Sequence, residues 1–253
     1  MAEKVLRLLN RTLDAVILIV LLLAGLYSVY SIWDNSQIYQ QSMDLQVKLR
    51  DLKPQEDKPS FAELLQINPD VVAWVTLEGT QIDHPIVQGE DNLEYLNKDV
   101  YGDYALSGSI FLDSRCRCDL QEDYLLLYGH HMEKHQMFGD LESYLQQEFF
   151  EAHQTGTLLL PGETYDLKIF AVMTADASDA FLFDPVKAAR NQTELLDKIT
   201  KYALHQRKDQ IAEIRKNKSQ ILALSTCSGE RLSDRTVVLA EMIQRDDRGA
   251  EQT

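Results

Sequence analysis

The chain has 253 residues, 45% of them hydrophobic, and a formal charge of −15. That hydrophobic share supports a real core, with room for one substantial domain plus further segments. The acidity argues against a nucleic-acid binder, which needs clustered Lys and Arg against phosphate, and its plain reading is solubility.

Ala15–Trp33 carries no charged residue and is dominated by Val, Ile, Leu and Ala. At about 1.5 Å per helical residue, such a stretch spans a hydrocarbon core of about 30 Å. Lys4, Arg7 and Arg11 precede it, and the next Lys or Arg is Lys48. The positive-inside rule therefore predicts a cytoplasmic segment over residues 1–14, a single-pass anchor over 15–33 in the cell membrane, and an extracellular remainder. Tyr27, Tyr30 and Trp33 cluster at the outer end, where aromatic rings favour the interface. A cleaved signal peptide is the competing reading, but the apolar core exceeds a usual h-region and no clear A-x-A site follows. Residues 34–59 are polar and read as a juxtamembrane stalk ending in a Pro54–Pro59 linker.

Ser60-Phe61-Ala62-Glu63 fits a capping box, so a short helix is expected from Ser60 to about Ile67, stopping near Pro69. Val71–Leu77 and Gln81–Val87 flank Glu78-Gly79-Thr80 and read as a hairpin. Asp91–Asn97 reads as a short helical turn, Gly108–Asp113 as a strand and Tyr124–Tyr128 as a central strand. Gly139-Asp140 starts a helix over Leu141–Tyr144, and Glu148–His153 continues it. Thr157–Leu160 and Tyr165–Thr174 flank the turn Pro161-Gly162, and Asp176–Asp184 is a loop. Thr193–Gln206 places Leu195, Leu196, Ile199, Tyr202 and Ala203 on one helical face, with Arg207 and Lys208 as C-terminal cations.

Ile221–Thr226 and Thr236–Ile243 are β-branched and aliphatic runs around the loop Ser228–Asp234, which predicts an antiparallel hairpin. Cys227 then closes one strand and Arg235 opens the other, with Cβ atoms roughly 5 Å apart on one face. A one-residue slip would turn Arg235 away. A cation favours the nucleophilic thiolate, and Arg can donate to a developing oxyanion. The strand Tyr124–Tyr128 ends in Gly129, His130 and His131, and only one of two neighbouring side chains on an extended backbone can face the thiol. Cys, His and Arg together form an acyl-transfer set. Cys116 and Cys118 lie in a charged loop without further metal ligands at suitable spacing, so they read as incidental thiols.

Leu224-Ser225-Thr226-Cys227, Arg235 and Tyr128-Gly129-His130-His131-Met132 together resemble the sortases, cysteine transpeptidases of Gram-positive bacteria. Class B is the most similar: the series Asn68-Pro69-Asp70, Ile82-Asp83-His84-Pro85-Ile86-Val87-Gln88, Asp91-Asn92, Tyr95-Leu96-Asn97, Gly108-Ser109-Ile110-Phe111-Leu112-Asp113 and Met137-Phe138-Gly139 follows it in order. The resemblance covers roughly residues 60–245, the expected catalytic domain, and leaves 246–253 as a polar tail. The residues themselves support a β-rich mixed fold; the resemblance implies an eight-stranded β-barrel with peripheral helices, one of them, Thr193–Gln206, before the Cys-bearing strand.

The resemblance also implies site roles. The family pattern selects His130 over His131, and Arg235 over Arg231. It implies Cys227, His130 and Arg235 as catalytic, and Asn92, Leu96, Tyr128 and Ser225 near the substrate groove, with the Asp176–Phe183 loop over it. Capping for Asn92, packing for Leu96 and Tyr128, and a strand hydrogen bond for Ser225 would account for those four equally well. No metal or organic cofactor is called for. The expected partners are secreted proteins bearing a C-terminal sorting signal and an amine from the peptidoglycan precursor or a pilin Lys. Three readings follow: a cell-wall anchoring enzyme, a pilin-polymerising enzyme, and a catalytically idle membrane-bound adaptor.

Overall fold

A computed structural model describes residues 2–54, 61–227 and 234–245. Ser60, Arg231, most of the Ser228–Asp234 loop, the Gln55–Pro59 stretch and the 246–253 tail lie outside the described residues. The chain divides into two compact units, Met1–Asp44 and Leu45–Thr253.

Helix α1 runs Ala2–Arg50 without a break, so the helix of the apolar stretch continues through much of the expected stalk. Its apolar residues in the first unit, among them Leu18, Leu22 and Ile32, are exposed along the whole stretch. By length and composition this helix can cross a membrane.

The second unit is a closed barrel. Its strands are β1 (Val71–Leu77), β2 (Asp83–Val87), β3 (Ile110–Leu112), β4 (Tyr124–Tyr128), β7 (Thr155–Leu160), β8 (Glu163–Asp176), β10 (Gln220–Cys227) and β11 (Asp234–Gln244). They join in the order β11-β10-β4-β3-β2-β1-β7-β8, and β8 pairs with β11 to close eight strands into a ring. Closure removes the sheet edges. The pairs β2–β3 and β4–β10 are parallel and the others antiparallel. A small hairpin, β5 (His131–Met132) with β6 (Gln136–Met137), stands beside the ring. Strand β9 (His205–Gln206) pairs with β8 at Ala171 and Val172.

Alternation along each strand divides the side chains between the barrel interior and its outer face. Leu125, Leu127, Leu222, Leu224, Val238 and Ala240 meet in the barrel interior. Leu126, Ala223, Val237 and Leu239 point to the other face, which is covered by Ala188, Leu195, Leu196, Ile199, Ile211 and Ile214. These belong to α4 (Pro185–Arg190), α5 (Gln192–Tyr202) and α6 (Lys208–Asn217).

The predicted hairpins, the turn at Glu94–Leu96 and the strand Tyr124–Tyr128 all form. Two short helical pieces, Gly139–Leu145 and α3 (Gln147–Ala152), stand where one was expected. The first described helix after α1 is α2, Ala62–Ile67. Thr193–Gln206 is corrected: α5 ends at Tyr202, because Leu204 N donates to Val172 O and Arg207 N to Phe170 O, drawing the chain onto β8. Lys208 therefore opens α6 instead of following a helix, and α6 is the helix that precedes the Cys-bearing strand. Ile211 and Ile214, three apart, form its buried stripe.

Candidate active site

Strands β10 and β11 pair with Ser225 opposite Val237, Thr226 opposite Thr236 and Cys227 opposite Arg235. The slip that would turn Arg235 away does not occur. Arg235 also lies opposite Ala175 of β8 and is half-buried. On the other side of β10, Ser225 is level with Tyr128 of the parallel strand β4, and Gly129 N donates to Ser225 O at 3.2 Å. Counting on by two along each chain reaches Cys227 and His130. Cys227 ends β10, Arg235 lies at the start of β11, and His130 follows the end of β4, so the three expected residues lie at the same end of three neighbouring strands.

His130 is held from outside the barrel. Its Nε2 lies 2.7 Å from the carbonyl oxygen of Leu96. A carbonyl only accepts, so Nε2 is the donor in this contact. Glycine is required at two positions nearby. A Cβ on Gly129 would stand 2.4 Å from Ile110 Cδ1 and 2.7 Å from Phe138 Cδ2. Gly108 has φ +57°, and a Cβ there would meet the Leu96 carbonyl oxygen at 2.4 Å. His131 faces elsewhere, with Nε2 3.7 Å from Glu142.

Asn92 and Tyr128 meet at a residue to which the sequence reading gave no role. Asp113 is fully buried at the end of β3. It accepts from Asn92 Nδ2 at 3.0 Å, from Tyr128 Oη at 3.1 Å, and from Arg115 Nε and Nη2 at 2.9 and 2.7 Å. Asn92 Oδ1 in turn accepts from Ser114 N at 2.7 Å. Burial pushes the Asp113 carboxyl up, but the Arg115 hydrogen bonds and charge outweigh it and hold the group below the usual carboxylate range. Burial, with the Asp113 charge, pushes the Tyr128 phenol up, so it stays a donor. Asp113 stands within the motif Gly108–Asp113, which was the available signal. Leu96, half-buried, contributes its backbone carbonyl to His130.

Ser225 is buried and its Oγ has no hydrogen-bond partner among the described residues; the same holds for Thr226 Oγ1 and Thr236 Oγ1. Unpaired buried hydroxyls are costly and therefore uncommon. All three stand within two residues of Cys227 or Arg235 along β10 and β11. Cys116 is different: burial pushes its thiol up to about 12, so it is not a thiolate near neutral pH.

A family model for the sortase domain matches residues 75–243. The chain belongs to the sortase family. It is 29% identical over 239 residues to sortase B of Staphylococcus aureus, covering 92% of this chain and 96% of that one. Sortase B of Listeria monocytogenes is 30% identical over 176 residues, 70% of each chain. Among solved structures, a Streptococcus pyogenes class B sortase involved in pilus biogenesis is 39% identical, with a TM-score of 0.66 over 73% of this chain and 98% of that one. Sortase B from B. anthracis is 30% identical, with a TM-score of 0.67 over 83% and 99%. These relatives place the chain in class B, whose members are cysteine transpeptidases, and the eight-stranded barrel is the sortase fold.

Proposed function

We propose that the chain is a membrane-tethered class B sortase that attaches surface proteins to the cell wall through a thioester on Cys227. The observation that supports this reading is the strand register, which pairs Cys227 with Arg235 and Ser225 with Tyr128, two residues before His130. The Cys227 thiolate attacks an amide carbonyl within the sorting signal, and the carbonyl π electrons move to oxygen. Arg235 donates to that oxyanion. The C–N bond then breaks, and His130 gives the leaving amine a proton. An incoming amine attacks the thioester, loses its proton to His130, and the Cys227 thiolate departs. One amide is exchanged for another.

The apolar stretch of α1 is the tether, with Lys4, Arg7 and Arg11 on the cytoplasmic side and the barrel outside the cell. Asn92, Leu96, Tyr128 and Ser225 line or back the groove for the sorting signal. A pilin Lys as the amine is the second reading. It is favoured by the 39% identity to a sortase involved in pilus biogenesis.

Feeding the acylated enzyme either a pentaglycine-type amine or a Lys-containing pilin peptide separates the two. The anchoring reading expects faster product formation with the first. Preference for the second supports pilin polymerisation. An equal product yield from Cys227→Ala would remove the thioester from the account.

A further inference from the structure

Asp113 and Arg115 gather three segments that are far apart in sequence. From the turn before the Leu96 carbonyl comes Asn92; from β4, Tyr128; and from the loop after β8, the carbonyl of Phe183, which accepts from Arg115 Nη2 at 2.7 Å. The guanidinium also makes a two-point contact with Asp113. A planar fork with five donors suits such a junction, whereas an ammonium cannot hold a carboxylate through two parallel bonds and reach a third oxygen in fixed geometry.

The 176–184 loop has its own internal order. Asp179 Oδ1 accepts from Phe181 N and Leu182 N, Lys198 pairs with Asp179, and Tyr124 Oη donates to Leu182 O at 2.9 Å. Leu182 is fully buried. Arg115 ties the far end of this loop to the residue that also fixes Asn92 and Tyr128.

We infer that the Asp113–Arg115 pair is a clamp that sets the spacing of the groove walls, and that Arg115 is a positioning residue for sorting-signal binding. This rests on the reading of Cys227 as the nucleophile and of the 176–184 loop as the groove's cover. Among the described residues Arg115 holds the Asp113 carboxylate and the Phe183 carbonyl, so its effect falls on recognition of the peptide and not on the reacting atoms. The Arg115 side chain is 43% exposed, while Asp113 is 0% exposed. Arg115 can therefore be replaced without opening the core, and it is the better variant; Asp113→Asn risks the fold.

The test uses the full chain in detergent, as wild type, Arg115→Gln and Arg115→Lys. A library of peptides from the C-terminal regions of proteins secreted by the same organism is the acylating probe. Single-turnover acylation of Cys227 is followed by mass. Iodoacetamide labelling reports the thiol itself, and hydrogen exchange reports the loop. The clamp predicts that Arg115→Gln raises the half-saturating peptide concentration about tenfold, the worth of one charged hydrogen bond. The limiting acylation rate and iodoacetamide labelling stay within about twofold, since neither depends on groove width. Amides of 177–184 exchange faster, while those of β10 and β11 do not. Arg115→Lys recovers thermal stability but not peptide affinity.

If Arg115→Gln acylates with unchanged concentration dependence, the clamp is overturned and the catalytic reading stands. A proportional fall in acylation and iodoacetamide labelling would also overturn it, because the damage would then be general. If no peptide acylates the wild type, the catalytic reading falls and takes the clamp with it.

Discussion

Two carboxylates in the barrel have similar sets of donors and hold different things. Asp83, on β2, accepts from Lys53 Nζ at 2.7 Å, Trp74 Nε1 at 2.7 Å and Thr76 Oγ1 at 2.9 Å, with Arg50 at 3.6 Å. Asp113, on the other side of the β2–β3 pair, has its own cation and its own neutral donors. Both are held below the usual carboxylate range; burial opposes the shift, and hydrogen bonds with a neighbouring cation override it. Asp83 fastens the end of α1 to the β1–β2 hairpin, where Leu49 is buried with Leu64 and Trp74. Asp113 fastens the candidate groove. The same local chemistry serves anchorage in one place and geometry in the other, and the difference lies in which segments supply the donors.

The largest expected effect lies at the β10–β11 pair and is absent around Asp83. Arg235→Ala should lower the limiting acylation rate by about 10²–10³, the usual worth of an oxyanion donor. Stopped acylation followed by mass checks this. A loss below about tenfold would mean that Arg235 does not meet the developing charge.

The second prediction concerns acid, and it belongs to the Asp83 side. His84 is buried, and desolvation brings its imidazole down to about 4. Gln46 Nε2 lies 3.1 Å from its Nε2. The unfolded chain binds this proton near the ordinary histidine value and the folded chain does not. Stability is therefore complete above about pH 6.5 and falls as pH drops toward 4, by about 3 kcal/mol in all. Asp83 and Asp113 act lower: their contribution is present above the ordinary carboxylate value and is lost as pH falls through their depressed values. A series of denaturant melts should show that His84→Gln flattens the upper window and leaves the lower one. Unchanged slope between pH 6.5 and 4 would remove His84 from the account.

Much of this was readable in the chain, and the limits have physical causes. The Cys227/Arg235 register follows from two β-branched runs around a polar loop, because a hairpin's loop fixes its pairing. Helix α4 was missed although its signal was present: Asp184 caps Lys187 N at 3.0 Å and Pro185 occupies the first turn. Helix α6 was missed because Leu204 and Arg207 leave their helical pattern to bond with β8, a contact no local spacing reveals. Barrel closure through β8 and β11 is likewise long-range, and only the family resemblance pointed to it. Asp113 draws its donors from residues 92, 115 and 128, so no single motif shows it.

A paired substitution tests the comparison itself. Asp83→Ala should cost about 2 kcal/mol, below the range for fully buried pairs, because Lys53 and Arg50 can turn to solvent. Its half-saturating peptide concentration should stay within about twofold. A large change in peptide affinity would mean that the two carboxylates are not separate devices. The smallest effect is expected from Gln46→Ala, about 1 kcal/mol of stability in thermal or denaturant melts with unaltered acylation.

The central claim is that Cys227 forms the acyl intermediate. Intact mass spectrometry of the chain incubated with sorting-signal peptides and no amine tests it most directly. The account predicts a peptide-sized, hydroxylamine-labile adduct on the wild type and none on Cys227→Ala. An adduct that survives Cys227→Ala, or a wild type that stays unmodified by every peptide, would contradict it.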